Sequence, residues 1–270
     1  MRCFKNTQQV NNIDVFDRAF HYGDGCFTTA RIRHNQIELY QRHLQRLELT
    51  NAQLYLHADL TQIQQTLQKL IALEGELNGT VKIVLSRGAG QRGYSLPNTA
   101  ADVWLFYYPS QLTSFVPKEI KSAVLQQRLG LVMPALVGLK TLNRLDQVML
   151  KKELDDLRLS EALVCDVNDH IVEGVSSNCF MLVNGQWITP ELRYNGVHGV
   201  MRAEIIERMR QVGIDCEIRC ITLDELQEIQ ALFFCNALTP MQIVSSLADR
   251  TLDTATPHAL FHQLQLNQIR

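Results

Sequence analysis

Three short stretches of the chain place chemically capable residues at element boundaries. In Gly138-Leu-Lys140-Thr-Leu-Asn143-Arg144 one lysine stands between a strand-like segment and an amphipathic helix, flanked by Leu139 and Leu142. An apolar setting lowers an amine's pKa and makes it available as nucleophile and base near neutrality, although most lysines are solvated surface residues. Glu173-Gly-Val-Ser-Ser-Asn178 puts a carboxylate at the end of a short strand, where a simple surface turn is the competing reading. Gly196-Val-His-Gly199-Val-Met-Arg202 brings glycines to the start of a helix near Val200. Backbone N–H groups and the helix dipole would face an anion there, and a glycine-punctuated helix start is the plain alternative.

A further stretch, Gly88-Ala-Gly90-Gln-Arg-Gly93, matches G-x-G-x-x-G directly after a predicted strand. A dinucleotide fingerprint must open a helix, whereas this one runs into Tyr94-Ser-Leu-Pro97-Asn. No acidic residue stands about 20 positions on to hold a ribose, since Asp102 comes too early. It reads as a flexible loop carrying Arg87 and Arg92.

The elements that must position these residues follow from periodicity. Strands are expected near Ile13 to Phe16, from Cys26 to Ile32 after a tight Gly23-Asp24-Gly25 turn, and at Gln36 to Leu39. Leu44 and Leu47, then Leu60, Ile63, Leu67, Leu70 and Ile71, recur at helical spacing. Thr80 to Ser86 and Val103 to Tyr108 are β-rich, which makes residues 1–110 an N-terminal α+β domain. Pro109 and Pro117 punctuate a connector. Beyond it, 111–270 holds strand-like runs at Ile120 to Leu125, Ala162 to Asp166, Ile171 to Glu173, Cys179 to Val183, Cys216 to Ile221 and Ala231 to Cys235. Helices are expected at Arg144 to Leu157, Val200 to Val212 and Leu223 to Ile229. Many strands with few helices between them argue for a largely antiparallel, barrel-like C-terminal domain, here expected to carry Lys140.

Composition narrows the classes. A hydrophobic fraction of 46% with 20% charged residues is that of a globular protein. A formal charge of −2 gives no broad reason to expect nucleic acid or a membrane surface. The opening MRCFKNTQQVNN is too polar for a signal peptide, and no apolar run approaches the ~18 residues of a membrane span, so a cytoplasmic location is expected. Seven cysteines, several inside apolar runs, read as free thiols. Cys216 and Cys220 lack zinc-site spacing, and no metal is expected.

Taken together, the motifs resemble those of the fold-type IV pyridoxal-5′-phosphate (PLP) enzymes, the group of D-amino-acid aminotransferase, branched-chain aminotransferase and 4-amino-4-deoxychorismate lyase. The resemblance runs from Asp17-Arg-Ala-Phe-His-Tyr-Gly-Asp-Gly25 through His43-Leu-Gln-Arg46-Leu, Lys140-Thr-Leu-Asn143, Glu173-Gly-Val-Ser-Ser-Asn178 and Gly199-Val-Met-Arg202 to Cys235-Asn-Ala-Leu238. It implies an α+β fold of two domains, a smaller N-terminal α/β sandwich-like one and a larger C-terminal pseudo-barrel. It also implies that Lys140 is the Schiff-base lysine and that Glu173 contacts the pyridine nitrogen. Arg46, the N–H groups of Val200 and Met201, and the Asn236-Ala237 segment would cup the phosphate, with Val197 packed on the ring. Family aminotransferases usually have threonines where Met201 and Asn236 stand, so backbone contacts are what the resemblance carries at those positions.

Within the family, Gly23-Asp-Gly-Cys-Phe-Thr-Thr-Ala-Arg31, Arg87-Gly-Ala-Gly-Gln-Arg-Gly-Tyr-Ser95, Lys140-Thr-Leu-Asn-Arg144 and Gly199-Val-Met-Arg202 look like the lyase branch. That branch cleaves 4-amino-4-deoxychorismate to 4-aminobenzoate and pyruvate in folate biosynthesis, with the Lys140 amine removing the C4 proton. Arg92, Arg87 and Tyr94 would meet the substrate and its two carboxylates, and Thr28 would be a hydroxyl partner for the Lys140 amine or the leaving group. A homodimer is implied as well. A D-amino-acid or branched-chain aminotransferase is the same-fold alternative. A non-catalytic protein that kept the small-anion cup is the alternative of another class.

Overall fold

The apolar-polar alternation of the first third of the chain builds one antiparallel sheet. In the computed structural model, which describes residues 1–111 and 114–269, six strands run in the order β2 (Gln8–Gln9), β1 (Arg2–Lys5), β6 (Asp102–Pro109), β5 (Gly79–Ser86), β3 (Gly25–Arg33) and β4 (Gln36–Ile37). Two helices, α2 (Tyr40–Gln53) and α3 (Thr61–Glu74), follow β4. Their Leu47, Ile63, Leu67 and Leu70 pack with Ala30 and Ile32 of β3 and with Val81, Ile83 and Leu105 in one core. Because side chains alternate along a strand, Thr28, Ala30 and Ile32 of β3 share this buried face while Phe27, Thr29 and Arg31 share the other.

The strand expected at Ile13 to Phe16 does not form. Ile13, Val15 and Phe16 lie exposed before a short helix, α1 (Arg18–Tyr22), whose N-cap Asp17 accepts from the Ala19 N–H. The stretch gains only the Gly90 N–H on the Phe16 carbonyl at 3.3 Å and an isolated antiparallel bridge between Asp17 and Ala89, too little for a ladder among the described residues, and the first hairpin is instead β1–β2.

The chain divides into two units. The first holds residues 1–111 together with Leu139–Asn143, and the second holds Ser114–Gly138 and Arg144–Ile269. Lys140 therefore groups with the first unit and not with the C-terminal domain in which the sequence placed it. Hydrogen bonding gives the reason. The Phe27 N–H donates to the Lys140 carbonyl at 3.0 Å, the Leu142 N–H donates to the Gly25 carbonyl at 2.9 Å, and Cys26 and Thr141 form an antiparallel bridge. Gly25 allows this approach, since a Cβ there would stand 2.1 Å from the Leu85 carbonyl oxygen and 2.9 Å from the Leu142 side chain.

The second unit contains a seven-stranded sheet whose main path is β13 (Cys216–Arg219), β12 (Gln186–Pro190), β11 (Asn178–Val183), β14 (Ile229–Cys235), β15 (Gln242–Leu247) and β16 (Arg250–Thr251), with β7 (Lys118–Ser122) pairing β15 in parallel. A three-stranded sheet runs β10 (Ile171–Gly174), β9 (Leu163–Asp166), β8 (Val124–Leu129). Three helices, α4 (Leu145–Asp156), α5 (Val200–Gln211) and α6 (Ala255–Gln263), accompany the sheets. The expected helix at Leu223 to Ile229 is a 3₁₀ segment, Leu223–Glu228, closed by a capping box between Thr222 and Glu225. Among the described residues no helix is long and apolar enough to cross a membrane.

The Gly-rich segment after β5 opens no helix, in keeping with the rejected dinucleotide motif. Its stem is fixed by buried charge. Arg87, 4% exposed, donates to both Asp24 carboxylate oxygens at 2.9 Å and to the carbonyls of Leu54 and Tyr55 at 2.6 and 2.8 Å. Arg18 donates to the same carboxylate at 2.8 Å. We expect Arg87→Met, which keeps the length and apolar body, to lower the unfolding free energy by about 3 kcal/mol, because Asp24 loses one of its two arginine donors and the Leu54 and Tyr55 carbonyls lose the guanidinium. Equilibrium denaturation checks this, and a wild-type unfolding midpoint would contradict it.

Candidate active site

Lys140 is fixed through its backbone by the start of β3, and its Nζ lies 4.8 Å from the centroid of the Phe27 ring. A cationic amine gains from such a ring face, and the apolar neighbour limits its hydration. Phe27 and Thr29 share a face of β3, whereas Thr28 is on the opposite, fully buried face.

Thr28 consequently has partners other than those the sequence suggested. Its hydroxyl contacts His43 Nδ1 at 2.5 Å and accepts a hydrogen bond from the Arg46 guanidinium. His43 and Arg46 both come from α2, three residues apart and so on one helix face. Burial, and then the neighbouring Arg46 charge, push the His43 pKa down to about 3, which keeps the ring neutral.

The arginines of the Gly-rich segment divide. Arg87 is spent on Asp24 and two carbonyls, which replaces the substrate-clamp expectation with a structural one. Arg92 and Tyr94 lie exposed, and Tyr94 is 87% exposed with its ring 5.6 Å from that of Tyr22. The loop that carries them is tethered by Arg18, which donates to the carbonyls of Gly93 at 2.8 Å and Gln91 at 3.5 Å.

In the second unit Glu173 is the penultimate residue of β10, in a buried position. Its Oε2 accepts from the Val197 N–H at 2.9 Å and from the Asn178 side-chain amide at 3.3 Å, and the same amide donates to the Val197 carbonyl at 3.0 Å. Val197 is thereby held beside the carboxylate. The loop between Glu173 and Asn178 is organised by Glu161, a buried carboxylate that the sequence did not single out. It accepts from the N–H groups of Val175 at 2.6 Å and Ser176 at 3.2 Å, and from the hydroxyls of Ser176 and Ser177 at 2.9 and 2.8 Å. The available signal was an acidic residue directly ahead of the apolar run Ala162 to Cys165.

Helix α5 begins at Val200 with Gly199 as its N-cap, no side-chain cap and no acidic residue in its first turn. A Cβ on Gly199 would fall 2.0 Å from Asn178 Oδ1, so this helix start is obliged to be bare backbone. The Val200 and Met201 side chains are buried, which leaves their N–H groups as the polar feature of the turn. Arg202 donates to Thr189 Oγ1 at 3.1 Å and to the Pro190 carbonyl at 3.0 Å, and burial lowers its pKa. Asn236 directs its Oδ1 to the N–H groups of Leu238 and Thr239 at 3.0 and 2.9 Å and its amide to the Ser176 carbonyl at 3.4 Å. Its side chain is thus used within the turn that Ala237 belongs to, and what the segment can offer an anion is backbone.

PLP asks for a lysine amine for its aldehyde, a carboxylate for its pyridine nitrogen, and arginine with unencumbered backbone N–H groups for its phosphate. This chain supplies each type: Lys140 beside an aromatic face, Glu173 already hydrogen-bonded as an acceptor, Arg46 directed by Thr28, and the side-chain-free start of α5. The residues present fit the group.

The comparisons agree with that fit. Residues 25–247 match the family described as Amino-transferase class IV. The chain is 31% identical over 242 residues to an aminodeoxychorismate lyase of Vibrio harveyi, covering 88% of each protein. The crystal structure of 4-amino-4-deoxychorismate lyase from Pseudomonas aeruginosa superposes with a TM-score of 0.87 at 32% identity, covering 97% of this chain and 98% of that one. A hypothetical aminotransferase from Mycobacterium tuberculosis in its PLP-bound form superposes with a TM-score of 0.81 at 20% identity, covering 99% and 98%, a likeness of fold alone.

Glu161→Gln should be costly despite its shape, because each carboxylate oxygen accepts from a backbone N–H and an amide NH₂ in either place opposes one. The expected loss of unfolding free energy is about 3 kcal/mol, against less than about 1 kcal/mol for the exposed Ser176→Ala. Chemical denaturation of the two variants side by side is the measurement, and equal midpoints would remove Glu161 from this role.

Proposed function

Because the chain belongs to the class IV aminotransferase family, we propose that it is a PLP-dependent lyase which cleaves 4-amino-4-deoxychorismate to 4-aminobenzoate and pyruvate, with Lys140 as its working amine. The observation that carries the reading is near full-length similarity, at 31% and 32% identity, to two proteins named as that lyase. The same reading includes a homodimer acting in the cytoplasm in folate biosynthesis.

Bound PLP supplies an electron-withdrawing ring that stabilises negative charge developing at the substrate carbon bearing the amino group. Lys140 Nζ takes the C4 proton. Loss of that proton and departure of the C3 enolpyruvyl oxygen make the substrate ring aromatic, and the enolpyruvate released takes a proton to become pyruvate. The Phe27 face beside Nζ keeps the amine poorly hydrated and its proton exchange local to the substrate.

Glu173 serves the pyridine nitrogen as a fixed negative charge, and the Val197 N–H and Asn178 amide hold it in place. Val197 packs on the ring. Arg46, the N–H groups of Val200 and Met201, and the backbone of the Asn236-Ala237 turn hold the phosphate dianion. Arg92 meets a substrate carboxylate with Tyr94 beside it on the loop. Thr28 serves Arg46, and Thr29, on the face that Phe27 occupies, takes the hydroxyl role that the sequence had given to Thr28.

Incubation with 4-amino-4-deoxychorismate should release 4-aminobenzoate and pyruvate in equal amounts. A new amino acid paired with a keto acid would instead establish an aminotransferase. Lys140→Ala should abolish both turnover and the borohydride-reducible visible absorbance, and a wild-type rate in that variant would overturn the assignment.

Glu173→Gln keeps the shape and removes the charge. In PLP-saturated protein its single-turnover elimination rate should fall by one or more powers of ten, each about 1.4 kcal/mol of barrier. An unchanged rate with normal cofactor absorbance would show that Glu173 does not tune the ring.

A further inference from the structure

We propose that His43 is a positioning residue for Arg46: through the Thr28 hydroxyl it fixes the direction in which the guanidinium is presented to the cofactor phosphate. The inference rests on Arg46 being a phosphate ligand, as in the preceding reading, and adds the device that orients it.

The direction of the hydrogen bonds follows from what each group can do. Arginine has donors only, so the contact between Arg46 and Thr28 makes Thr28 Oγ1 an acceptor. The one hydrogen of the hydroxyl is then available to the ring nitrogen 2.5 Å away, and His43 Nδ1 must be an acceptor, with the ring proton on Nε2. The polarity runs one way, from guanidinium to hydroxyl to imidazole. A protonated ring would present an N–H where the hydroxyl needs an acceptor and would set two like charges close together. Burial and the Arg46 charge both disfavour that form, in the order given by the lowering of the His43 pKa.

Burial makes the arrangement purposeful. Thr28 and His43 are 0% and 1% exposed, at a place where α2 packs on the Ala30 and Ile32 face of β3. Two polar side chains buried in an apolar core cost free energy unless they are bonded, and here they are bonded to each other and to the arginine. An arginine held at one terminal nitrogen has lost rotamer freedom before any anion arrives, so less remains to be lost on binding. The spacing His43-Leu-Gln-Arg46 places both side chains on one face of α2, and Thr28 reaches that face from the strand.

The test separates the phosphate from the rest of the cofactor. Wild type, His43→Leu, Thr28→Val, the double variant, His43→Asn, His43→Gln and Arg46→Ala are stripped of cofactor and titrated with PLP and with pyridoxal, which lacks the phosphate, by visible absorbance. His43→Leu is expected to weaken PLP about ten-fold and leave pyridoxal within about two-fold. The double variant should be no worse than the weaker single, since one relay is broken once. His43→Asn, whose amide oxygen can take the Nδ1 place, should recover most of the affinity, and His43→Gln should not. Equal losses for PLP and pyridoxal, additive single effects, or an Asn variant no better than Gln would each overturn the proposal. If His43→Leu does not fold, the Asn and Gln pair decides. Arg46→Ala isolates the underlying reading. A PLP-to-pyridoxal ratio unchanged by Arg46→Ala means that the phosphate assignment has failed. A ratio lowered by Arg46→Ala but not by His43→Leu means that only the relay has failed.

Discussion

The backbone pairing of Lys140 with the start of β3 is the constraint from which the rest of the first unit's chemistry follows. Two hydrogen bonds, from Phe27 to Lys140 and from Leu142 to Gly25, fix the lysine by its main chain and set its Nζ beside the Phe27 ring. That pairing requires Gly25, because the strand edge and the incoming segment leave no volume for a Cβ. Asp24 then stands at a tight turn just ahead of it, where its carboxylate gathers Arg18 and Arg87. One turn thus sets the position of the lysine, the buried ion cluster and the stem of the Gly-rich loop.

Buried charge elsewhere follows the same rule, that a charged group inside the protein is surrounded by enough partners to offset its desolvation. Glu161 gathers the donors of the Val175-Ser176-Ser177 loop, and Glu173 gathers those of Val197 and Asn178. The thiols obey the complementary rule. Burial raises the pKa of Cys26 and Cys235 to about 12, so these side chains act as small apolar fillers.

Much of this was legible in the sequence because periodicity reports burial. The β3 alternation, the α2 and α3 spacing and the helix start at Val200 all matched the elements formed. The features that were missed depended on pairing partners, near or far along the chain, or on the pleat. Ile13 to Phe16 has strand composition, but its pairing among the described residues is limited to the Gly90 N–H on the Phe16 carbonyl and the adjoining Asp17–Ala89 bridge, while Gln186–Pro190 becomes a strand through the Asn184-Gly185 hairpin with β11 and parallel pairing with β13, despite its terminal proline. Thr28 and Thr29 are adjacent and chemically identical, so only the pleat tells which one faces α2. Arg87 looked like Arg92 until its carbonyl partners at Leu54 and Tyr55 were in place. Glu161 acts on donors fourteen to sixteen residues further along the chain, which no local pattern encodes.

The tether on the Gly-rich loop has an evolutionary consequence. Arg18 grips the carbonyls of Gln91 and Gly93, and the Tyr22 hydroxyl accepts from the Gly93 N–H, so the contacts that set the path of the loop are made to main-chain atoms. Every residue type offers a carbonyl, and all but proline an N–H. Substitutions at 91, 92 and 94 therefore leave these main-chain tethers in place, whereas substitutions at Arg18, Tyr22 or Asp24 act on the scaffold itself. What the tip presents to solvent could thus diverge between relatives while the lysine, its strand and the Asp24 cluster keep their places.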